Sequence, residues 1–410
     1  MPPKRVHPQK VDALAVRYES YLVAEFFLIF LARTRPINEY KQETVDLEAQ
    51  IIDAITRIGP RNVSEISRVT KAPVETIRYK IKKQFKNLGF RIHAEPNYKK
   101  MGLTLFWAKI AFTPQYLANA PQILNALNEM SYLVYYGKVV PHGYYSVLFA
   151  IPDGRGDEYK GFLRHTQDTG VVQDFALVES LHTQHHSMNP RYFNFQTGKW
   201  EIDWKRVAME KVKGDDDKKS KTETAVDGLD LLLIKELQID ALQHVVAIAR
   251  KLKIHPKTLE YHYRAHVEGL NLIPRYIVKW MNDLDKSPPH SLIVTRLTLD
   301  GMSKDDSFRM RQTTNKIPFL WSEDSLADGT YVAWLMIPLE ETTTTFDYIH
   351  TCVPDLSSRM SVGFIKHLDT AMYNVPHHMF SKGWSFDVEE MKVRFKKVIA
   401  ELARKEARKA

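Results

Sequence analysis

Cysteine is nearly absent. Cys352 is the only one in 410 residues, which excludes an intrachain disulfide and a thiolate zinc site and fits a reducing cytosol. Long apolar runs are absent too. The most apolar stretch, Tyr21 to Ala32 (YLVAEFFLIFLA), has 12 residues and contains Glu25, whereas a spanning helix needs about 20 apolar residues. Arg33 and Arg35 follow it without a small-residue cleavage site, so it is read as a packing or dimerisation helix, and no membrane is expected as a partner. The signatures of common enzymes are also missing. There is no glycine-rich phosphate loop and no Gly-x-Ser-x-Gly elbow, and Cys352 precedes Val-Pro without an activating neighbour. These absences predict a chain that is not an enzyme and carries no cofactor.

What is present is positive charge and internal repetition. The formal net charge is +9 and the pI about 9.2, a balance that favours a polyanionic partner. Ile51 to Leu88 and Leu233 to Leu270 run in register at an offset of 182 residues: Ile52 falls on Ile234, Ile66 on Ile248, Arg68 on Arg250, Lys71 on Lys253, Thr76 on Thr258, and Tyr79 on Tyr261. A second echo sets Trp200, Ile202 and Trp204 against Trp384, Phe386 and Val388.

Apolar spacing gives the elements. In the first copy, Leu47, Ile51, Ile52, Ile55 and Ile58 mark a helix stopped by Gly59-Pro60. Asn62 or Ser64 caps a second helix, Pro73 opens a third that ends at Gly89, and Phe90 to Ala94 is expected to form a wing strand. The second copy repeats this over Asp227–Leu237, Val245–Leu252 and a helix from His255-Pro256. After each unit the texture changes to strand, helix, strand, strand, helix, strand. The first run covers Leu103–Phe112, Pro121–Met130, Leu133–Tyr136, Tyr144–Ile151, Asp157–Thr169 and Val171–Leu181. The second covers Ser291–Leu299, Ser307–Thr314, Phe319–Trp321, Tyr331–Pro338, Thr345–Cys352 and Ser361–His367. This β-α-β-β-α-β order is the ferredoxin-like arrangement.

The predicted class is therefore α+β, with two tandem copies of a winged helix-turn-helix followed by a ferredoxin-like domain. The expected divisions are a basic arm and apolar helix (1–43), a first winged helix-turn-helix (44–98), a first ferredoxin-like domain with its tail (99–207) and a charged linker (208–225). A second winged helix-turn-helix (226–276), a second ferredoxin-like domain with tail (277–388) and a charged C-terminal helix (389–410) follow. The tail tryptophans Trp200, Trp204 and Trp384 are expected to pack back onto the sheets.

This order resembles the Lrp/AsnC family of transcription regulators, most clearly in Asp227 to Pro274 with its acidic start, Leu231-Leu232-Leu233-Ile234, Ile248-Ala249-Arg250-Lys251-Leu252 and Pro256-Lys257-Thr258-Leu259. It spans roughly residues 44–185 and 226–370. The resemblance implies a DNA-binding regulator acting in the cytoplasm, here as a pseudo-dimer within one chain and open to further homodimerisation. The family often binds an amino acid between paired ferredoxin-like domains, at a glycine closely followed by an acid. Gly143 and Gly329 are in place but no acid follows either, so any small-molecule effector is left unidentified. Siroheme decarboxylases share the same plan and form the alternative reading, as does a protein-interaction scaffold. Their Arg/His-rich stretch before the third strand corresponds here to Lys138–His142 and to the acidic Glu323–Asp328, a poor match.

The partner expected on this reading is double-stranded DNA. Lys71, Arg78, Lys80, Lys82, Lys83, Lys86 and Arg91 crowd the first third helix against one acid, Glu75. Glu75, Thr76, Arg78 and Tyr79 are placed toward bases, and Lys82, Lys83, Lys86 and Arg91 toward phosphates. In the second copy the corresponding set is Lys253, Lys257, Thr258, Tyr261, His262 and Arg264, diluted by Glu260 and Glu268. His182, His185 and His186, and His377 and His378, are read as polar strand-end residues rather than metal ligands, and no metal is expected.

Overall fold

The computed structural model describes residues 46–210, 226–280 and 292–408. The arm, the Tyr21–Ala32 segment and the charged run Lys211–Thr224 lie outside the described residues. Helix α1 (Leu47–Ile58) buries Ile51, Ile52 and Ile55. It ends at Gly59, whose φ of 87° and ψ of 154° suit essentially only glycine. Helix α2 (Val63–Thr70) is capped by Asn62, which accepts from the Glu65 N–H at 3.3 Å. Lys71, at φ 55°, turns the chain toward α3 (Val74–Tyr79), which continues through a π-turn at Lys80–Gln84 to Phe85–Asn87. Then come β1 (Phe90–Glu95), β2 (Leu103–Phe112), α4 (Ala120–Met130), β3 (Leu133–Val140), β4 (Tyr145–Pro152), α5 (Gly156–Asp168) and β5 (Val172–His185), with a tail holding β6 (Phe193–Asn194), β7 (Lys199–Trp200) and α6 (Trp204–Met209).

The same order returns downstream. Helix α7 (Gly228–Ile239) starts in a capping box between Asp227 and Asp230. After α8 (Val245–Leu252), Lys253 sits at φ 57°, and α9 (Pro256–Tyr261) runs into a π-turn at His262–Glu268. Strand β8 (Arg275–Trp280), β9 (Leu292–Leu299), α10 (Lys304–Thr314), β10 (Leu320–Leu326), β11 (Tyr331–Pro338), α11 (Thr342–Cys352), β12 (Ser361–Met372) and α12 (Val388–Ala407) complete the chain. The α+β class is as expected. Among the described residues, no helix is long and apolar enough to cross a membrane.

The two four-stranded sets close on each other. Strand order is β10-β11-β9-β12-β3-β4-β2-β5, a closed antiparallel barrel. One seam pairs β10 with β5, Glu323 opposite Gln184; the other pairs β12 with β3, Ile365 opposite Val139. Each seam joins edge strands of different halves, so neither set keeps an open edge. Aromatic side chains of the two halves pack against one another. Trp107 on β2 stacks on Trp334 of β11 at 5.3 Å, and Tyr135 meets both edge-on at 6.0 and 5.5 Å.

Two expectations need correction. The strand after the first third helix forms, but not as a wing of its own head: β1 pairs with β8 over the full register Phe90–Trp280 to Glu95–Arg275. Helix α1 packs on β8 and α7 on β1, so each head is covered by the strand of the other. The tails do not fold back on their own sheets either. Trp200 packs edge-on against Phe319 at 4.8 Å, and the Trp204 indole donates to Glu341 at 3.0 Å. Trp384 donates to the Met101 carbonyl at 2.6 Å, and Phe395 of α12 meets Phe162 of α5. Both tails cross because the apolar helix faces they need belong to the other half.

Candidate functional site

The first third helix offers a cationic face because its apolar residues point inward. Ile77, Ile81 and Phe85 are buried, and the opposite positions are left to solvent. Lys71, Glu75, Arg78, Tyr79, Lys82, Lys83, Lys86 and Arg91 are exposed, and Thr76 is half-buried. Tyr79 is 60% exposed for an aromatic ring, with the Lys83 ammonium 6.0 Å from its centroid. Arg78 pairs with Glu75 on the same face. Lys80 departs from the expected pattern. It turns inward to Glu48 at 2.5 Å and to Gln84 at 3.0 Å. Six exposed cations thus stand against the single acid Glu75 in this segment, an arrangement that suits phosphate oxygens.

The second head is weaker. Lys253, Lys257, Thr258, Tyr261 and Arg264 are exposed, but Arg264 is engaged by Glu260 at 2.7 Å. His262 cannot reach DNA: it is 9% exposed and its Nδ1 lies 2.9 Å from Asp230. Among the described residues, the histidines near the two last strands form no group of metal-ligand atoms. His182 contacts Arg311 at 2.8 Å and His185 contacts Glu95 at 3.0 Å. Burial, reinforced by Arg275 and His185, pushes His186 down to about 3. His377 and His378, both lowered by burial, bond to the carbonyls of Val375 and Asn128.

A feature that no local pattern signals lies at the barrel. A cavity of about 300 Å³ is lined by Trp107, Lys109, Arg296, Asp300, Asp328 and Thr330 among others. Arg296 is 3% exposed. Its guanidinium donates to the Tyr144 hydroxyl at 3.0 Å and to Thr298, while its Nε has no hydrogen-bond partner. Burial lowers its pKa, opposed by Tyr144, Asp324 and Asp300, and among the described residues no carboxylate lies within ion-pair distance of it. Asp324, also in the barrel, is raised by burial although Thr183 and Ser180 donate to it at 2.6 and 3.1 Å. A buried guanidinium beside empty space suits a carboxylate or another anion.

No family model and no curated protein matches this sequence. Solved structures do. The siroheme decarboxylase NirDL is similar over 87% of this chain and 100% of its own, at 12% identity and TM-score 0.52. The same enzyme in complex with an iron-uroporphyrin III analogue superposes equally. AsnC of E. coli covers 33% of this chain and 91% of its own at 16% identity, with TM-score 0.25. LrpA of Mycobacterium tuberculosis covers 33% and 92% at 18% identity, with TM-score 0.24. At such identities the full-length likeness speaks for the fold. It also corrects one expectation. The lack of familiar catalytic motifs predicts no enzyme, yet NirDL, a decarboxylase, is similar in fold over 87% of this chain. Missing motifs therefore do not exclude an enzyme.

Proposed function

We propose that the chain is a DNA-binding regulator of Lrp/AsnC type, acting in the cytoplasm, in which two duplicated halves with the domain divisions given above form a pseudo-dimer on one polypeptide. The observation that carries this reading is the exposed cationic face of the first head: Lys71, Arg78, Lys82, Lys83, Lys86 and Arg91. Arg78 and Tyr79 would lie toward base edges, and Lys82, Lys83, Lys86 and Arg91 along the phosphates. The second head would contribute Lys253, Lys257, Thr258 and Tyr261 with lower affinity, because Glu260 already holds Arg264. Duplex DNA titrated over a salt series tests it. Lys82→Ala with Lys83→Ala is expected to weaken binding alike for all sequences and to reduce the log–log salt slope by about 2. An unchanged slope, or no binding to duplex DNA at physiological salt, defeats the reading.

Arg296 favours a second reading, in which the barrel takes a carboxylate-bearing ligand; NirDL is known in complex with an iron-uroporphyrin III analogue. The cavity of about 300 Å³ stands at the small end of ligand sites, so a compact acid fits it better than a tetrapyrrole. Equilibrium dialysis with iron-uroporphyrin III and with short dicarboxylic acids, on the native chain and on Arg296→Met, separates the cases. Retention by the native chain and loss in the variant supports a ligand or substrate site. Equal retention by both removes it.

A further inference from the structure

The second head holds a donor set that the first lacks. Asp227, Asp230, His262 and His266 each offer one ligand atom, and these atoms all lie within 4.8 Å of one another. His262 Nδ1 lies 2.9 Å from Asp230 Oδ1 and 3.4 Å from Asp227 Oδ2, and His266 Nδ1 lies 3.0 Å from Asp230 Oδ2. A tetrahedral ion with ligands at about 2.0–2.1 Å would space its donors about 3.3 Å apart. We propose that this cluster is a binding site for a divalent transition-metal ion of the zinc class, with two imidazoles and two carboxylates as ligands.

The chain supplies its own comparison. Shifted by 182 residues, Asp230, His262 and His266 fall on Glu48, Lys80 and Gln84, while Asp227 falls on Val45. In the first head these residues close a self-sufficient network. The Lys80 ammonium donates to Glu48 at 2.5 Å and to Gln84 at 3.0 Å, and the Gln84 amide donates to Glu48 at 3.0 Å. The buried carboxylate is neutralised by a lysine. In the second head the lysine is gone and a second acid has arrived. Asp230 is wholly buried, and among the described residues no lysine or arginine pairs with it. A buried carboxylate needs a cation. Replacing Lys and Gln by two histidines removes the built-in charge and installs two nitrogen donors where it stood. A dication balances the two carboxylates.

The surroundings are those of a prepared site. The capping box fixes both acids. Asp227 Oδ1 accepts from the N–H groups of Leu229 and Asp230, leaving Oδ2 directed at His262, and Asp230 Oδ2 accepts from the Asp227 N–H. Both histidines sit in the π-turn, their rings 4.8 Å apart, a helix irregularity common at functional sites. Nitrogen donors favour zinc, cobalt or nickel over calcium or magnesium.

The test uses the full chain after chelator treatment. Zinc is titrated in competition with a chromophoric chelator, and cobalt is added separately to read its visible spectrum. One tight ion per chain, a tetrahedral cobalt band and a rise in Tm on adding zinc are expected. His262→Lys with His266→Gln transplants the first head's solution. It should fold and lose the cobalt band, with affinity falling at least about a hundredfold. Asp227→Asn keeps the helix cap, so it serves as the second variant and should weaken binding without loss of fold. Zinc affinity equal in native and variant chains would assign the ion to exposed histidines such as His244 or His255 and overturn the proposal, as would no tight binding at all.

Discussion

At the scale of single residues, burial decides what a side chain can do, and type alone misleads. Lys80 and His262 occupy corresponding positions in two helices expected to bind DNA, yet both turn inward to an acid on the first helix of their head. Exposure follows from the phase of the apolar residues, so Lys82, Lys83 and Lys86 were legible as an outward face. The partner of an inward residue was not legible, because Asp230 and His262 lie 32 positions apart. His186 makes a prediction at this scale. Its folded pKa is about 3 against about 6.5 in the unfolded chain. Between those values the unfolded chain binds a proton that the folded chain refuses, so stability present above pH 6.5 is lost as pH falls toward 3. The urea midpoint of the native chain should drop between pH 6.5 and 5, before most carboxylates titrate, and His186→Gln should drop less. Equal slopes for the two proteins would contradict the burial of a neutral imidazole.

At the scale of elements, strand and helix positions were legible to within a few residues. Leu103–Phe112 and Tyr331–Pro338 match the observed strands outright, because an apolar run of strand length, the second buried throughout, is a local property. Pairing is not local, and there the expectation of two separate wings failed. Strand β1 reads the same whether it flanks its own head or the other one; only the register with β8 distinguishes them. Val278, fully buried opposite Ile92, holds this exchange together, and its N–H donates to Ser187 at 2.9 Å. Val278→Asp buries a carboxylate in an apolar contact and should lower unfolding free energy by roughly 3 kcal/mol, read as a fall in the urea midpoint. A loss under about 0.5 kcal/mol, as for an exposed wing, would show that the two strands do not share a core.

At the scale of the whole molecule, the halves are joined by more than a linker. Two barrel seams, the β1–β8 ribbon and both crossed tails each place residues of one half against the other. The family resemblance implies a pseudo-dimer within one chain, but the seams, the ribbon and the crossed tails were not legible, because an edge strand carries the same alternation whether it meets solvent or a neighbour. Removing one half therefore has a calculable consequence. A chain cut back to residues 46–210 would keep β3 and β5 as open edges and uncover Trp107 and Tyr135, which now rest against Trp334. Open edges and an exposed aromatic face drive association. Because both halves contribute the same strand order to the barrel, the fragment can restore closure by pairing β5 of one copy with β3 of another, as β5 with β10 and β12 with β3 do now. The fragment should run as a dimer or larger species in light scattering, with its tryptophan emission blue-shifted as in the full chain. A stable monomer with solvent-exposed tryptophan would mean that each sheet stands alone. The barrel would then be a contact between finished domains, and the spacing of the two cationic heads would fall to the connecting segment.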